Sequence, residues 1–212
     1  MFPTLKAIEI HISTRWEPES TELGHCSRLI DRLEVLGATL EKLRLFTKPP
    51  KLDDPILFLN LKPVGSLTSF SKVRELSIPN DWLDIGQSDT DYSKVFPPKI
   101  EVLELLQPNH KTCSWLADFA NQRMKRRNHV SLRKIKIICV DGFESTYEAM
   151  RYYPGPCAML DLLRNQGVIV DLACTTHRSE WDDDNYNPCV ALFLEELKAY
   201  NPTFMSLGNG KS

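Results

Sequence analysis

A short hydrophobic motif recurs along the chain. Its pattern is apolar-x-x-apolar-x-apolar, and it occurs five times in the first 140 residues. The copies lie 35, 33, 27 and 32 residues apart and begin at Leu5, Leu40, Val73, Ile100 and Leu132. A looser sixth copy follows with Val168, Val170 and Leu172. Recurrence at a loosely constant step is the sequence signature of a repeat architecture.

Each motif has the pattern of a β-strand with one buried side. The second and third apolar residues are two positions apart, so their side chains point to the same face. One such strand cannot bury this face alone, but neighbouring strands in a parallel sheet can when helices cover it. The pattern therefore predicts an α/β fold. We expect an irregular leucine-rich-repeat-like solenoid, with a parallel sheet of five or six short strands and helices on its outer face.

The segments between the motifs supply the predicted helices. Apolar residues at helical spacing indicate amphipathic helices over residues 22–36, 113–127, 156–165 and 188–200. Gly37 follows the first of these as a predicted stop signal. Residues 47–70 and 79–99 are rich in Pro, Asp and Ser, which is typical of loops or short turns. We expect residues 1–200 to form one solenoid domain and residues 201–212 to be a frayed tail.

Five phrases of the sequence resemble the repeat region of fungal F-box/leucine-rich-repeat proteins. They are FPTLKAIEIHIS, ATLEKLRLF, FSKVRELSIP, FPPKIEVLELL and SLRKIKIICV. The helix, basic link and strand of CSWLADFANQRMKRRNHVSLRKI are typical of the same group. The resemblance covers most of residues 1–175. It implies a repeat solenoid that recognises a protein, as in the substrate receptor of a ubiquitin ligase.

Two departures from that family alter the expectation. Regular leucine-rich repeats place Asn or Cys three residues after the last strand leucine, whereas this chain has Ser13, Lys48, Asp81, Pro108 and Val140 there. The asparagine ladder between neighbouring loops is therefore absent, and the solenoid should be irregular. The sequence also shows no F-box. We expect a fragment or a shortened relative of such a receptor, in which docking onto the ligase is lost.

The residues between the apolar positions predict a binding surface on an open, concave face. The first column across the strands holds Ala7, Lys42, Glu75, Val102 and Lys134, and the second holds Glu9, Arg44, Ser77, Glu104 and Lys136. Glu9 beside Arg44, and Glu104 beside Lys136, would be opposite charges on adjacent strands, which supports the stacking. The third holds His11, Phe46, Pro79, Leu106 and Ile138, and is apolar in four of five places. An apolar strip rimmed by charges marks a protein contact. The predicted contact residues are Arg44, Phe46, Glu104, Leu106, Lys136 and Ile138. The alternative is a connecting loop that covers the strip as a satellite core.

Composition narrows the class of partner. The net charge of −2 lacks the basic excess of a nucleic-acid binder, and 42% hydrophobic residues are ordinary for a globular domain. The N-terminus does not read as a secretory signal, and no apolar run approaches the roughly 20 residues of a membrane span. We therefore expect a cytoplasmic or nuclear protein that binds neither membrane nor nucleic acid. It is expected to act as a monomer or within a larger complex.

The sequence gives little evidence for a metal-binding or catalytic site. Cys174 and His177 have a spacing that suits zinc, with Cys189 and the acidic residues 182–184 nearby, but no second paired motif exists. Adjacent helical residues such as His25 and Cys26 point about 100 degrees apart and cannot act on each other. His110 and Cys113 lack an orienting acid.

The basic run Arg123, Lys125, Arg126 and Arg127 has two interpretations. It can contact phosphate or an acidic partner, or its charges can complement the end of a helix, which we favour. With no recognised catalytic motif, the sequence predicts a non-catalytic protein-interaction module that needs no metal or cofactor. The alternatives are an enzyme with dispersed catalytic residues and a truncated product without independent function.

Overall fold

Six β-strands form one open parallel sheet in the computed structural model, which describes residues 5–12, 26–47, 64–83, 85, 90–108, 111–140 and 158–175. Spatial order equals chain order, so each strand pairs with the next one along the chain. The strands are β1 (Ala7–Ile12), β2 (Lys42–Thr47), β3 (Glu75–Pro79), β4 (Val102–Leu106), β5 (Lys134–Val140) and β6 (Ile169–Thr175). The predicted α/β class and parallel sheet are confirmed.

The register of the sheet follows the repeated motif. The middle apolar residues are consecutive partners across the strands: Ile8, Leu43, Leu76, Leu103, Ile135 and Val170. All of them except Ile8 are buried. The alignment arises because a shift of one residue would turn every apolar side chain to the opposite face. The looser sixth copy of the motif is therefore a true strand.

Three helices among the described residues pack against these apolar rows. They are α1 (Cys26–Leu33), α2 (Thr112–Arg126) and α3 (Ala158–Arg164). Their buried side chains join the strand rows in one hydrophobic core, with Ile30 from α1, Phe119 from α2 and Leu163 from α3. The predicted bounds of α2 and α3 differ from these by one or two residues. Residues 188–200 and the predicted tail lie outside the described residues.

Gly37 follows the last helical turn, as predicted, and has a second role in packing. The α-helix ends at Leu33 and tightens into a 3₁₀ turn over Glu34–Leu36. Gly37 keeps right-handed backbone angles, so it is not a left-handed helix cap. A Cβ atom at this position would lie 2.6 Å from the carbonyl oxygen of Ser69. Glycine is needed here because two backbone segments approach closely.

The connection over residues 79–99 is more than a loop. It contains 3₁₀ turns at Asn80–Trp82 and Tyr92–Lys94. Its side chains Trp82, Tyr92 and Phe96 are buried in the core. Tyr92 and Phe96 stack with ring centroids 6.4 Å apart, and both contact the aromatic rings of α2. The segment therefore takes the place of a helix in covering the sheet.

Candidate protein-binding site

The face of the sheet opposite the apolar rows carries a row of alternating charges. We call this side of the sheet the polar face. At one register level across all six strands lie Glu9, Arg44, Ser77, Glu104, Lys136 and Asp171. Side chains directly opposite each other on neighbouring strands are close enough to interact. The row therefore places opposite charges on neighbouring strands on both sides of the uncharged Ser77.

Both ion pairs predicted for this row are present. Lys136 donates from Nζ to the carboxylate of Glu104 at 2.7 Å. Arg44 Nη1 lies 3.6 Å from Glu9 Oε2, which is a charge contact longer than a normal hydrogen bond. Glu9 is shared with His11, whose Nε2 is 2.8 Å from its other oxygen.

Glu104 is the best-held charge of the polar face. Only 13% of its side chain is exposed, and the Ser77 hydroxyl donates to its second oxygen. Desolvation alone would raise the pKa of Glu104. Hydrogen bonds from Lys136 and Ser77 outweigh this effect, with further help from the positive charges of Lys136 and Arg44. The pKa of Glu104 therefore lies below the usual value for a glutamate, and the carboxylate is ionised at neutral pH.

The lysines of the neighbouring register level are also paired, one within that level and one with Asp171 of the first row. Lys42 of β2 contacts Glu75 of β3, and Lys134 of β5 contacts Asp171 of β6. The polar face thus neutralises its own charges. Exposed ion pairs contribute little stability, at about 0–1 kcal/mol each. Their main effect is to leave no large field of one sign to attract a strongly charged ligand.

The predicted apolar strip has two parts. On one side the rings of His11 and Phe46 stack with centroids 4.9 Å apart. On the other side Pro79, Leu106 and Ile138 are register partners. The ladder between β2 and β3 ends at the pair Arg44–Ser77, so it does not extend to Phe46 and Pro79.

Partial exposure of the whole strip was predicted, and this is wrong for Pro79 and Leu106. Both are buried, Leu106 with 6% exposure, whereas Phe46 and Ile138 are half-buried and His11 is exposed. After Leu106 the chain turns at Gln107, which has a φ of 53° and donates its N–H to the Ile138 carbonyl at 2.9 Å. Leu106 is not part of the main core. Its burial agrees with the alternative of a satellite cluster at this end of β4.

The basic run is structural at two of its four positions. The Arg123 guanidinium donates to the carbonyls of His129, Leu132 and Gln166, at 3.2–3.3 Å. It thereby ties α2 to the turns that lead into β5 and β6. Arg126 pairs with Asp91 at 3.0 Å, while Lys125 and Arg127 are exposed. We expected the cations of this run to bind the free carbonyls at the end of α2. Arg123 instead binds carbonyls on neighbouring turns.

Of the predicted reactive side chains, the structure describes Cys113 alone. Cys113 is fully buried, so its thiol is out of reach of a substrate. No group of three or more metal-ligating side chains occurs in the part of the chain that the structure describes. His25, His110, His177, Cys189 and the side chains of Cys26 and Cys174 lie outside that part. No described helix is long and apolar enough to cross a membrane.

Two buried polar residues escaped the sequence analysis. Asn80 is 3% exposed and accepts hydrogen bonds from Thr112 Oγ1 and Trp115 Nε1, both at 3.1 Å. It joins the end of β3 to the start of α2. His129 is 7% exposed, and its Nε2 lies 3.1 Å from the Tyr92 carbonyl. A polar residue next to a predicted strand or helix end is the only signal in the sequence for either role.

Comparison of the chain with protein-family models, with curated proteins and with solved structures found no match in any of the three.

Proposed function

We propose that this chain is a leucine-rich-repeat-like solenoid that binds a protein partner on the polar face and performs no catalysis. The observation that carries the proposal is the charge row, in which one register level across six strands presents five charged side chains and Ser77, with two ion pairs, beside an apolar strip. Each strand adds one residue to every column. Such a surface is extended and chemically varied, which suits the recognition of another protein surface.

The half-buried residues Phe46 and Ile138 would provide most of the binding energy. Interface energy is concentrated in a few desolvated apolar or aromatic side chains, surrounded by polar residues that exclude water. Around Phe46 and Ile138 the charges are already paired, as in Glu104 with Lys136. Of the six predicted contact residues, Leu106 would have a supporting role because it is buried. Arg44 and Lys136 would form the rim.

The relation to F-box substrate receptors rests on the repeated phrases of the sequence. In such a receptor the repeat domain selects the protein that is ubiquitinated. We infer that this chain is a remnant or fragment of such a receptor and that it still binds a specific protein partner. The enzyme alternative has no support from Cys113, the one candidate side chain among the described residues, because it is fully buried.

Site-specific photo-cross-linking tests the proposal. A photoreactive phenylalanine analogue replaces Phe46 in one variant and Ile138 in another. The exposed residues Val35 and Val130 serve as controls, with 83% and 72% exposure. We expect the Phe46 and Ile138 variants to capture the same polypeptide from an extract of the source cells, and the controls to miss it. Equal capture at all four positions, or capture at none, would contradict binding at the polar face.

A further inference from the structure

A shallow basic pocket lies where β2, β3 and β4 begin, at the opposite end of these strands from the apolar strip. Its volume is about 270 Å³, and its lining residues are Glu41, Lys72, Arg74 and Lys99. Lys72 and Lys99 each precede the first apolar residue of a repeat. They are three residues before Glu75 and Val102, which are register partners. The stacking of two repeats therefore brings both ammonium groups to one pocket.

Ion pairs account for the other two lining residues. Glu41 is 3.0 Å from Lys6 Nζ, and Arg74 Nη1 is 3.3 Å from Glu101 Oε1. Glu101 is also bound by Arg133, so Arg74 shares its carboxylate partner. These ion pairs continue the alternation of charges at the N-terminal ends of the strands. They explain why Glu41 and Arg74 are present without reference to a ligand.

Lys72 and Lys99 lack such an explanation. Both are exposed, and neither takes part in an ion pair within the described part of the chain. The pocket is lined by three cations and one carboxylate, which leaves a formal charge of +2 in a chain whose net charge is −2. This excess is local, which argues against the extended basic stripe of a nucleic-acid binder.

We propose that the pocket binds a phosphoryl group carried on a serine or threonine of a peptide. A phosphate monoester has a charge of about −1.5 to −2 near pH 7 and three strong acceptor oxygens. It therefore matches the formal charge of the pocket, whereas a single carboxylate neutralises half of it. Lysine ammonium groups and the free donors of Arg74 are suitable partners for these oxygens. The inference does not depend on the proposed function, because the pocket is separate from the apolar strip.

Two-dimensional NMR titration of the full chain tests the site. The probes are the peptide Gly-Gly-phosphoSer-Gly-Gly, its unphosphorylated form, and inorganic phosphate. We expect the phosphopeptide to shift the amide signals of Glu41, Lys72, Arg74 and Lys99, and the effect to decrease with added salt. The unphosphorylated peptide should leave these signals unchanged. A response to inorganic phosphate but not to the phosphopeptide would overturn the peptide as the source of the phosphoryl group.

Matched variants separate the pocket from general charge effects. The double variant Lys72→Ala/Lys99→Ala should weaken phosphopeptide binding about fivefold, because it removes two exposed charge contacts. Lys94→Ala/Lys125→Ala removes the same charge elsewhere and should leave the affinity within about twofold. Thermal melting should be unchanged in both, since all four side chains are exposed. Equal weakening in the two double variants would overturn the proposal.

Discussion

Lys136 and Glu104, which lie on neighbouring strands of the parallel sheet, are joined by a 2.7 Å hydrogen bond at the centre of the polar face. This pair differs from an exposed surface ion pair, because Glu104 is largely shielded from water and also accepts a hydrogen bond from the Ser77 hydroxyl. Three consecutive strands are thus connected by side chains as well as by backbone hydrogen bonds. This connection holds the charge row in a fixed arrangement.

Glu104→Gln should reduce stability in a pH-dependent way. The pKa of Glu104 is lower in the folded than in the unfolded chain, so its ionisation stabilises the fold above the usual glutamate range. This stabilisation is lost as the pH falls through the folded-state pKa. At pH 7 the variant should lose about 1 kcal/mol of unfolding free energy in urea titrations. The exposed Glu34→Gln variant is the control, with an expected change within about 0.5 kcal/mol. A loss that persists undiminished at low pH would contradict this account.

Asn80→Ala should destabilise the junction between β3 and α2. The change leaves the donors of Thr112 and Trp115 without their shared acceptor in a buried site. An unsatisfied buried donor costs about 1–3 kcal/mol, so a loss of about 1–3 kcal/mol is expected from the Trp115 N–H. Denaturant titration measures this loss, and the exposed Asn165→Ala variant is the control. A change below about 0.5 kcal/mol would show that the two hydrogen bonds are not important for stability.

Arg123→Ala should cost about 2–3 kcal/mol of stability, because three carbonyls on two different turns lose a charged donor. Arg123→Lys should not restore the loss, since a single ammonium group cannot reproduce the guanidinium fork. Arg127→Gly should instead stabilise the chain by about 0.5–1 kcal/mol, because Arg127 has a φ of 53° that glycine adopts without strain. Thermal melting of the three variants is the measurement. Equal effects at both positions would indicate a general role of positive charge at the end of α2.

Lowering the pH should destabilise the fold through His129. Burial lowers the pKa of His129 below the usual 6.5, and the charge of Arg123 contributes to this shift. The unfolded chain therefore binds a proton at a higher pH than the folded chain. Stability is complete above the unfolded-state pKa and decreases as the pH falls from 7 towards 5.5. His129→Asn is the matched variant, because asparagine tolerates the positive φ of 49° at this position. The loss of stability that is due to protonation of His129 should be missing in this variant. Identical pH profiles for the two proteins would contradict the assignment.

The sequence was sufficient to predict the strands and their register. The repeated triplets have a period of two within each strand, and only one register buries all of them. The helices were predictable from their apolar spacing to within a few residues. Gly37 was correctly predicted to follow the first helix, but its close approach to Ser69 was not predicted, because that contact depends on a distant segment. The local hydrophobic pattern was therefore sufficient to predict the strands and helices.

The irregular part depends on tertiary contacts that leave no periodic signal. Tyr92 and Phe96 lie in a segment rich in polar residues and proline, yet they complete the aromatic core against α2. Leu106 is buried next to the turn at Gln107, and sequence spacing alone could not reveal this burial. Of the predicted contact surface, the charge pairs were therefore more predictable than the exposure of the apolar strip.

Isothermal titration of the captured partner with Phe46→Ala/Ile138→Ala tests binding at the polar face most directly. Val35→Ala/Val130→Ala is the matched control, because it removes exposed apolar groups elsewhere, and circular dichroism checks that both variants fold. We expect the affinity of Phe46→Ala/Ile138→Ala for the partner to fall about 100-fold, because each side chain contributes about 1–2 kcal/mol of binding free energy. Unchanged affinity in that folded variant, or an equal loss in the control, would contradict binding at the polar face.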